Sequence, residues 1–301
     1  QGRQLPRART LLRMKTYETA AALGADVTRW KEGGEIVSFV PTMGNLHGGH
    51  LALVDLARVR ADRVVVSIFV NPLQFGPEED YAAYPRTIDD DRSLLVDAGV
   101  DALFLPTVDE IYPRGEDQAT FVEVPAISDI LCGAFRPGHF RGVATVVAKL
   151  FNLVQPHLSV FGAKDYQQLA VIRRMTEDLC FPLDIVACPT GREDDGLAMS
   201  SRNRYLTESE RRLAPRLHAA LAAAVARIEA GDDDWAAIQS EASTALAGAG
   251  FRPDYFEVRD AVTLAAPAEG ATELVVLAAA RLGRARLIDN LQVSRPAPAS
   301  P

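Results

Sequence analysis

The sequence predicts an α/β fold: a Rossmann-like doubly wound parallel sheet followed by a smaller C-terminal α+β domain. Three observations carry that expectation. Short apolar runs alternate with helix-period segments from Ile36 to about residue 190, the pattern of strands joined by crossover helices. Some of these runs, 64–70 above all, are rich in β-branched and apolar residues, as strands covered on both faces must be. After about residue 205 the rhythm becomes two helices and then three strand-like runs separated by short turns.

The elements follow in order. Residues 36–41 form an apolar run ending in proline and read as a buried strand. A glycine-containing turn over 44–49 leads into Leu51, Leu53, Val54 and Ala57, which have helical spacing. Residues 64–70 are the next strand. Asp89, Asp90 and Asp91 precede Leu94, Leu95 and Ala98, which suits a helix with acids at its positive end. Residues 102–105 read as a strand, 143–154 as a helix, 158–161 as a strand, 166–179 as a helix and 183–187 as a strand. Thr207 and Glu210 make a capping box before one long Ala- and Leu-rich helix. A helix over 234–247 and strands over 255–258, 274–280 and 286–293 complete the second domain.

The chain has 301 residues, which suits two domains. Residues 1–13 hold four arginines and no acid, and read as an extension outside the fold more than as a transit peptide. The domains expected are then 14–189, the doubly wound domain, and 190–293, the α+β domain, with 294–301 a disordered Pro-containing tail. A net charge of −8 disfavours a nucleic-acid partner. No apolar run approaches the roughly 18 residues of a membrane helix. Cys132, Cys180 and Cys188 have no metal-ligand spacing and read as reduced core residues in a cytoplasmic setting.

Ligands of doubly wound sheets sit beyond the carboxyl ends of the strands, so the loops there hold the candidate chemistry. The first is Pro41-Thr-Met-Gly-Asn-Leu-His-Gly-Gly-His50. His47 and His50 stand three apart across Gly48 and Gly49, which allow close approach of backbone to ligand. His50 falls at a helix start, where the dipole and open N–H groups favour an anion. Two imidazoles aimed at one place can donate to phosphate oxygens. A zinc site would need a third ligand, and no metal ligands are assigned. Lys164, beyond the strand over 158–161 and next to Gly162 and Ala163, offers an ammonium point charge suited to phosphate. Asp165 can accept from a ribose hydroxyl or cap the following helix. In Met199-Ser-Ser-Arg202, two hydroxyls and a guanidinium fork suit phosphate oxygens.

The loop around His47 and His50 resembles the HIGH motif of a nucleotidyltransferase superfamily. Its fuller form resembles the pantothenate synthetase (pantoate–β-alanine ligase) family. Further segments carry the same resemblance: Phe69-Val-Asn-Pro-Leu-Gln-Phe75, Tyr84-Pro-Arg-Thr87, Phe161-Gly-Ala-Lys-Asp-Tyr-Gln-Gln168 and Arg192-Glu-Asp-Asp-Gly-Leu-Ala-Met-Ser-Ser-Arg-Asn203. It runs from about Met14 to Val293, with the motifs in the family's order. The segment 199–202 resembles the superfamily's second, KMSKS-type signature.

The resemblance implies two half-reactions. Pantoate carboxylate attacks the α-phosphate of ATP, giving pantoyl adenylate and pyrophosphate, and the amine of β-alanine then displaces AMP. It implies Mg2+ carried on the ATP phosphates, a homodimer through the first domain, and catalysis by His47, His50, Lys164, Ser200, Ser201 and Arg202. ATP is expected along Met43, Gly44, Asn45, Leu46, His47, Gly48, Gly49 and His50, along Gly162, Ala163, Lys164 and Asp165, and along Gly191, Met199, Ser200, Ser201 and Arg202. Pantoate falls to Gln74 and Gln168, with Gln74 also near β-alanine, and Asn71 and Tyr84 are pocket neighbours. His139 and Arg141 belong to a shared segment and receive no role.

Four positions depart from the family's habit: Gly48 where Glu is usual, Asn45, Ala163 where Glu is common, and Gly191 where Val is common. None is among the catalytic residues just assigned, although all four lie along the expected ATP site. The rival readings are another nucleotidyltransferase, disfavoured by the amides Gln74 and Gln168, and a nucleotide-binding module without catalysis.

Overall fold

The structure, a computed structural model, describes residues 14–76 and 81–295. The extension 1–13 and the tail from 296 lie outside the described residues. The chain divides into two compact units. The first comprises the described residues up to Ser128, Arg136–Gly162 and Val171–Cys188. The second comprises Asp129–Phe135, Ala163–Ala170 and the described residues from Pro189 onward.

Along the chain the elements are β1 (Lys15–Tyr17), α1 (Ala20–Glu32), β2 (Val37–Thr42), α2 (Gly48–Arg60), β3 (Arg63–Ile68), α3 (Ile88–Asp97), β4 (Ala102–Phe104), α4 (Val108–Ile111), α5 (Cys132–Phe135), α6 (His139–Val154), β5 (Leu158–Gly162), α7 (Tyr166–Asp178) and β6 (Asp184–Cys188). The six strands form one parallel sheet in the order β1-β4-β3-β2-β5-β6. Strand order runs outward one way through β2, β3 and β4 and the other way through β5 and β6. It therefore reverses between β2 and β5, and the carboxyl ends of that pair flank the crevice where such sheets take ligands.

Strand side chains alternate between the two faces. Val40, Val64, Val66, Leu103 and Val160 pack with Val54 and Ala57 of α2 and Leu95 of α3. The alternate residues face the other way, where Phe161 of β5 meets Phe151 of α6 at 6.3 Å between ring centroids. Ser38 and Ser159, fully buried within strands, satisfy their hydroxyls on neighbouring strand carbonyls, those of Arg63 and Phe39. That pairing removes the cost of burying a hydroxyl alone.

The strand and helix order read from sequence is present, with most ends shifted by a residue or two and the start of α6 earlier than expected, at His139 where 143 was expected. Two elements at the start, β1 and α1, were not expected. β1 has three residues with one buried, and α1 buries Asp26 between Leu23 and Val27, which breaks its apolar stripe. His157, just before β5, accepts from Val37 N–H at 2.9 Å through Nδ1. Burial, and then the Lys31 charge, holds its pKa below the ordinary histidine value. The unfolded chain binds this proton first, so the stability present above about pH 6.5 is lost as pH falls through the folded value. The expected result is a parent melting temperature that drops between about pH 7 and pH 5, and a flatter profile for His157→Gln, whose acceptor does not titrate. Parallel profiles in scanning calorimetry would contradict it.

The second unit carries α8 (Glu208–Leu213), α9 (Arg216–Glu229), α10 (Trp235–Gly248) and an antiparallel sheet of β7 (Arg252–Asp260), β8 (Glu273–Leu282) and β9 (Ala285–Ser294), with β8 central. Leu217, Leu221 and Ile228 of α9 and Ile238 and Leu246 of α10 share one core with Val258, Leu274 and Val276 of the sheet. The capping box of Thr207 and Glu210 is formed in both directions, at 3.3 and 2.8 Å. The single long helix expected after it is instead two, separated at Ala214 and Pro215, because proline has no N–H for an internal helical bond. The expectation of three core cysteines also needs correction. Cys188 alone is buried, Cys132 is half-buried, and Cys180 is exposed just beyond α7, with φ +53°.

Candidate active site

The His47–His50 loop leaves β2 and enters α2. Gly44 makes the turn at φ +80°, and a Cβ there would lie 2.9 Å from Ile68 Cγ2 and 3.0 Å from Asp91 Oδ2. Asn45 follows at φ +54°, a conformation asparagine tolerates better than most residues. Asp91, 2 % exposed, holds this segment from α3. Its Oδ2 accepts from Asn45 N–H and its Oδ1 from Leu46 N–H, both at 2.8 Å. The acidic run thus lies in the first turn of α3, as helix electrostatics predicts, and its third member also fixes the loop. Asparagine offers one acceptor oxygen where two are used. Asp91→Asn is therefore expected to lower the adenylation that the resemblance implies by about tenfold, since a charge-assisted bond contributes about 1.5–3 kcal/mol. A rate within twofold of the parent would remove Asp91 from the account.

His47 and His50 form a capping box at the start of α2. His47 Nδ1 accepts from Gly49 N–H at 3.1 Å, and His50 Nδ1 accepts from His47 N–H at 3.3 Å. A neutral imidazole whose Nδ1 accepts carries its proton on Nε2. The two rings, 4.2 Å apart between centroids, are therefore a matched pair of Nε2–H donors at a positive helix end.

The pantoate-assigned Gln74 lies in a 3-10 turn (Pro72–Gln74) and is buried. Asn71, 1 % exposed, holds it. Asn71 Nδ2 donates to Gln74 Oε1 and to Gly142 O, both at 3.1 Å, and its Oδ1 accepts from Tyr112 OH at 2.8 Å. Burial pushes the Tyr112 phenol well above its ordinary pKa, and Glu116 adds to the shift, so Tyr112 remains a donor. Gln74 Nε2 donates to Met43 Sδ at 3.0 Å, which joins the amide to the loop after β2. His139 Nδ1 lies 2.8 Å from Gln74 O, with its Nε2 3.0 Å from Arg136 Nη1. His139, left without a role by the sequence, thus anchors the Gln74 backbone. Gly142 of α6 allows the turn to approach, because a Cβ there would sit 2.5 Å from Leu73 C and 2.8 Å from Gln74 N. Tyr84 packs edge-on to Phe75 with ring centroids 5.7 Å apart.

The other site residues fall in the second unit, apart from Gly162, which ends β5. Lys164 is half-buried and Asp165 exposed, while Gln168 is half-buried in the first turn of α7. The segment from Gly191 to Met199 folds back on itself, with Met199 N–H donating to Gly191 O at 2.9 Å and Glu193 N–H to Leu197 O at 2.8 Å. Ser200 then caps a 3-10 turn (Ser201–Tyr205) by accepting from Arg202 N–H at 3.2 Å. Ser201 is half-buried and Arg202 exposed. Lys164 and Ser200 line one shallow cavity together with Asn203, His218 and Asp289. Asp289, 4 % exposed, takes a two-bond fork from Arg192 at 2.7 and 3.0 Å. Burial first, and then the Arg192 charge, keeps the His218 pKa below its ordinary value.

Sequence reasoning missed Asp91, Tyr112, Gly142, Asp289 and Asn290. Each acts on backbone or on another side chain, and no spacing rule marks such residues.

A reversal-point crevice with paired imidazoles at a helix start suits the phosphates of a nucleotide, the class of ligand that the loop's HIGH-type resemblance implies. Comparison with known proteins narrows this. A family model described as pantoate-beta-alanine ligase matches residues 15–292. The pantothenate synthetase of Shewanella amazonensis is 62 % identical over 281 residues, 93 % of this chain and 100 % of that protein. That of Pseudomonas aeruginosa is 55 % identical over 280 residues, 93 % of this chain and 99 % of that one. The crystal structure of pantothenate synthetase from Thermus thermophilus matches with a TM-score of 0.85 at 50 % identity, covering 92 % of this chain and 99 % of that one. The enzyme from Francisella tularensis, crystallised with β,γ-ATP and β-alanine, matches at 0.76 and 32 % identity, covering 92 % of this chain and 97 % of that one. The chain belongs to the pantoate-beta-alanine ligase family. It is an enzyme of that kind, an ATP-dependent carbon–nitrogen ligase. Among the described residues no helix is long and apolar enough to cross a membrane.

Proposed function

We propose that the chain joins pantoate to β-alanine through pantoyl adenylate, with the following residues in charge. A carboxylate oxygen of pantoate, held by Gln74 and Gln168, attacks the α-phosphorus of ATP. The new O–P bond forms as the bond to the bridging oxygen breaks, and pyrophosphate leaves. His47 and His50 donate from Nε2 to the charge gathering on the phosphate oxygens. Lys164, Ser200, Ser201 and Arg202 neutralise the departing pyrophosphate. The β-alanine amine then attacks the acyl carbon, the C–O bond breaks, AMP leaves with the former carboxylate oxygen, and the amine gives up a proton. This is catalysis by positioning and preorganised dipoles, with no covalent enzyme intermediate.

The observation that carries this reading is the inward turn of both histidine Nδ1 atoms, which commits Nε2–H on each ring to donation. ATP is expected along 43–50, 162–165, Gly191 and 199–202. The segment 43–50 suits phosphate because Gly48 and Gly49 add no side chain to the first turn of α2. Magnesium is expected to arrive on the triphosphate. No group of three His, Cys, Asp or Glu is poised to hold a metal among the described residues, and Asp91 is engaged with the loop. The bound ion would neutralise phosphate charge. A homodimer, a cytoplasmic setting and a boundary near residue 190 between a nucleotide domain and a lid rest on the family resemblance and on the sequence pattern.

Pantoate labelled with 18O in its carboxylate separates the reaction classes. The expected result is label in AMP. Label in inorganic phosphate would mean an acyl phosphate and would overturn the reading.

A further inference from the structure

Asp289 and Asn290 are consecutive residues of β9, far in sequence from both phosphate-gripping segments. Both are buried, at 4 % and 6 % exposed. The Asn290 amide donates to Ala163 O at 2.9 Å and to Lys164 O at 2.8 Å, and so fixes the backbone that carries the Lys164 ammonium. Asp289 accepts the fork from Arg192, and Arg192 Nη1 also donates to Gly196 O at 3.0 Å. Arg192 pairs with Ala198 across the base of the same fold-back, two residues before Ser200. Asp289 Oδ1 in turn accepts from Asn290 N–H at 2.8 Å. One dipeptide therefore ties the Lys164 segment to the segment that carries Ser200, Ser201 and Arg202.

We infer that Asp289 and Asn290 are positioning residues that join Lys164 and the 199–202 signature into a single phosphate-gripping body. The inference rests on the assignment of Lys164 and 199–202 to the ATP phosphates. Its chemistry is simple. A buried amide with both N–H groups on two successive carbonyls, and a buried carboxylate with both oxygens on one guanidinium, are rigid anchors. The buried Asp289 carboxylate is costly to part from Arg192, because alone it is an unpaired buried charge. A lysine aimed at phosphate loses about 10²-fold in rate when misplaced by about 1 Å. The fold thus sets Lys164 and Ser200 from one strand, as both residues border the same cavity.

The test is pantoate-dependent exchange of pyrophosphate into ATP, with Asn290→Ala, Lys164→Ala and the double variant compared with the parent. The expected result is a fall in kcat/KM for ATP of about 10- to 100-fold for Asn290→Ala. The double variant is expected to be no worse than Lys164→Ala, because both changes act through one ammonium. A purely structural role for Asn290 would give multiplied losses and would overturn the inference. So would an Asn290→Ala rate within twofold of the parent. If Lys164→Ala itself is unimpaired, the phosphate assignment fails and the inference with it. If Asn290→Ala does not fold, hydrogen exchange on the parent decides. ATP must protect 163–168 and 191–205 at the same concentration, and protection of one alone overturns the inference.

Discussion

His50→Ala is expected to lower pantoate-dependent pyrophosphate exchange by about 10²- to 10³-fold, the typical loss of one preorganised donor, or about 3–4 kcal/mol. The ring does two things. Its Nδ1 caps α2 by accepting from His47 N–H at 3.3 Å, and in the proposed mechanism its Nε2–H donates to phosphate. Alanine removes both, so a loss of rate could be a loss of cap, which costs about 0.5–2 kcal/mol of stability. His50→Gln separates them. Glutamine is the ordinary partner at this position of a capping box, so it restores the bond to His47 N–H. The melting temperature of the Gln variant should return toward the parent while the exchange rate stays low. Recovery of both would make His50 a capping residue and would take it out of the chemistry.

Gly142→Ala is expected to cost stability and pantoate affinity together. A Cβ at 142 would lie 2.5 Å from Leu73 C and 2.8 Å from Gln74 N. Backbone lies on both sides of that contact, so relief requires the 3-10 turn to move off α6. Overpacking of this kind costs about 1–3 kcal/mol. The displaced turn also carries the Asn71 bonds to Gly142 O and Gln74 Oε1, so the Gln74 amide is released from its geometry. KM for pantoate should rise about tenfold or more, in line with a 1 Å misplacement. The kinetic effect should largely vanish in a Gln74→Ala background, since both changes act on one amide. Full additivity there would show that Gly142 acts elsewhere.

The fold was legible wherever burial was uniform. Residues 64–66 of β3 are fully buried, and a run of valines with no polar break admits few other readings. Legibility failed where a tertiary partner overrides local pattern. α1 buries Asp26 because Lys15 and Arg29 pair with it, and that carboxylate hides the helix's apolar stripe. The break at Ala214 and Pro215 was readable from proline alone and went unread behind the Ala- and Leu-rich composition. In the site, the sequence offered candidates to face phosphate, because His, Lys and Ser at strand ends are few. It could not name Asp91 among three adjacent aspartates, since only the position of Asn45 and Leu46 N–H distinguishes it. Nor could it name Asn290, which acts on carbonyls 126 residues or more away in sequence.

The central claim is that these residues activate pantoate as its adenylate before β-alanine is used. Exchange of labelled pyrophosphate into ATP measures that step alone. The parent should exchange label when pantoate is present and β-alanine is absent, and His50→Ala and Lys164→Ala should each lose at least about a hundredfold of that rate. Exchange that needs β-alanine, or that proceeds without pantoate, would contradict the account.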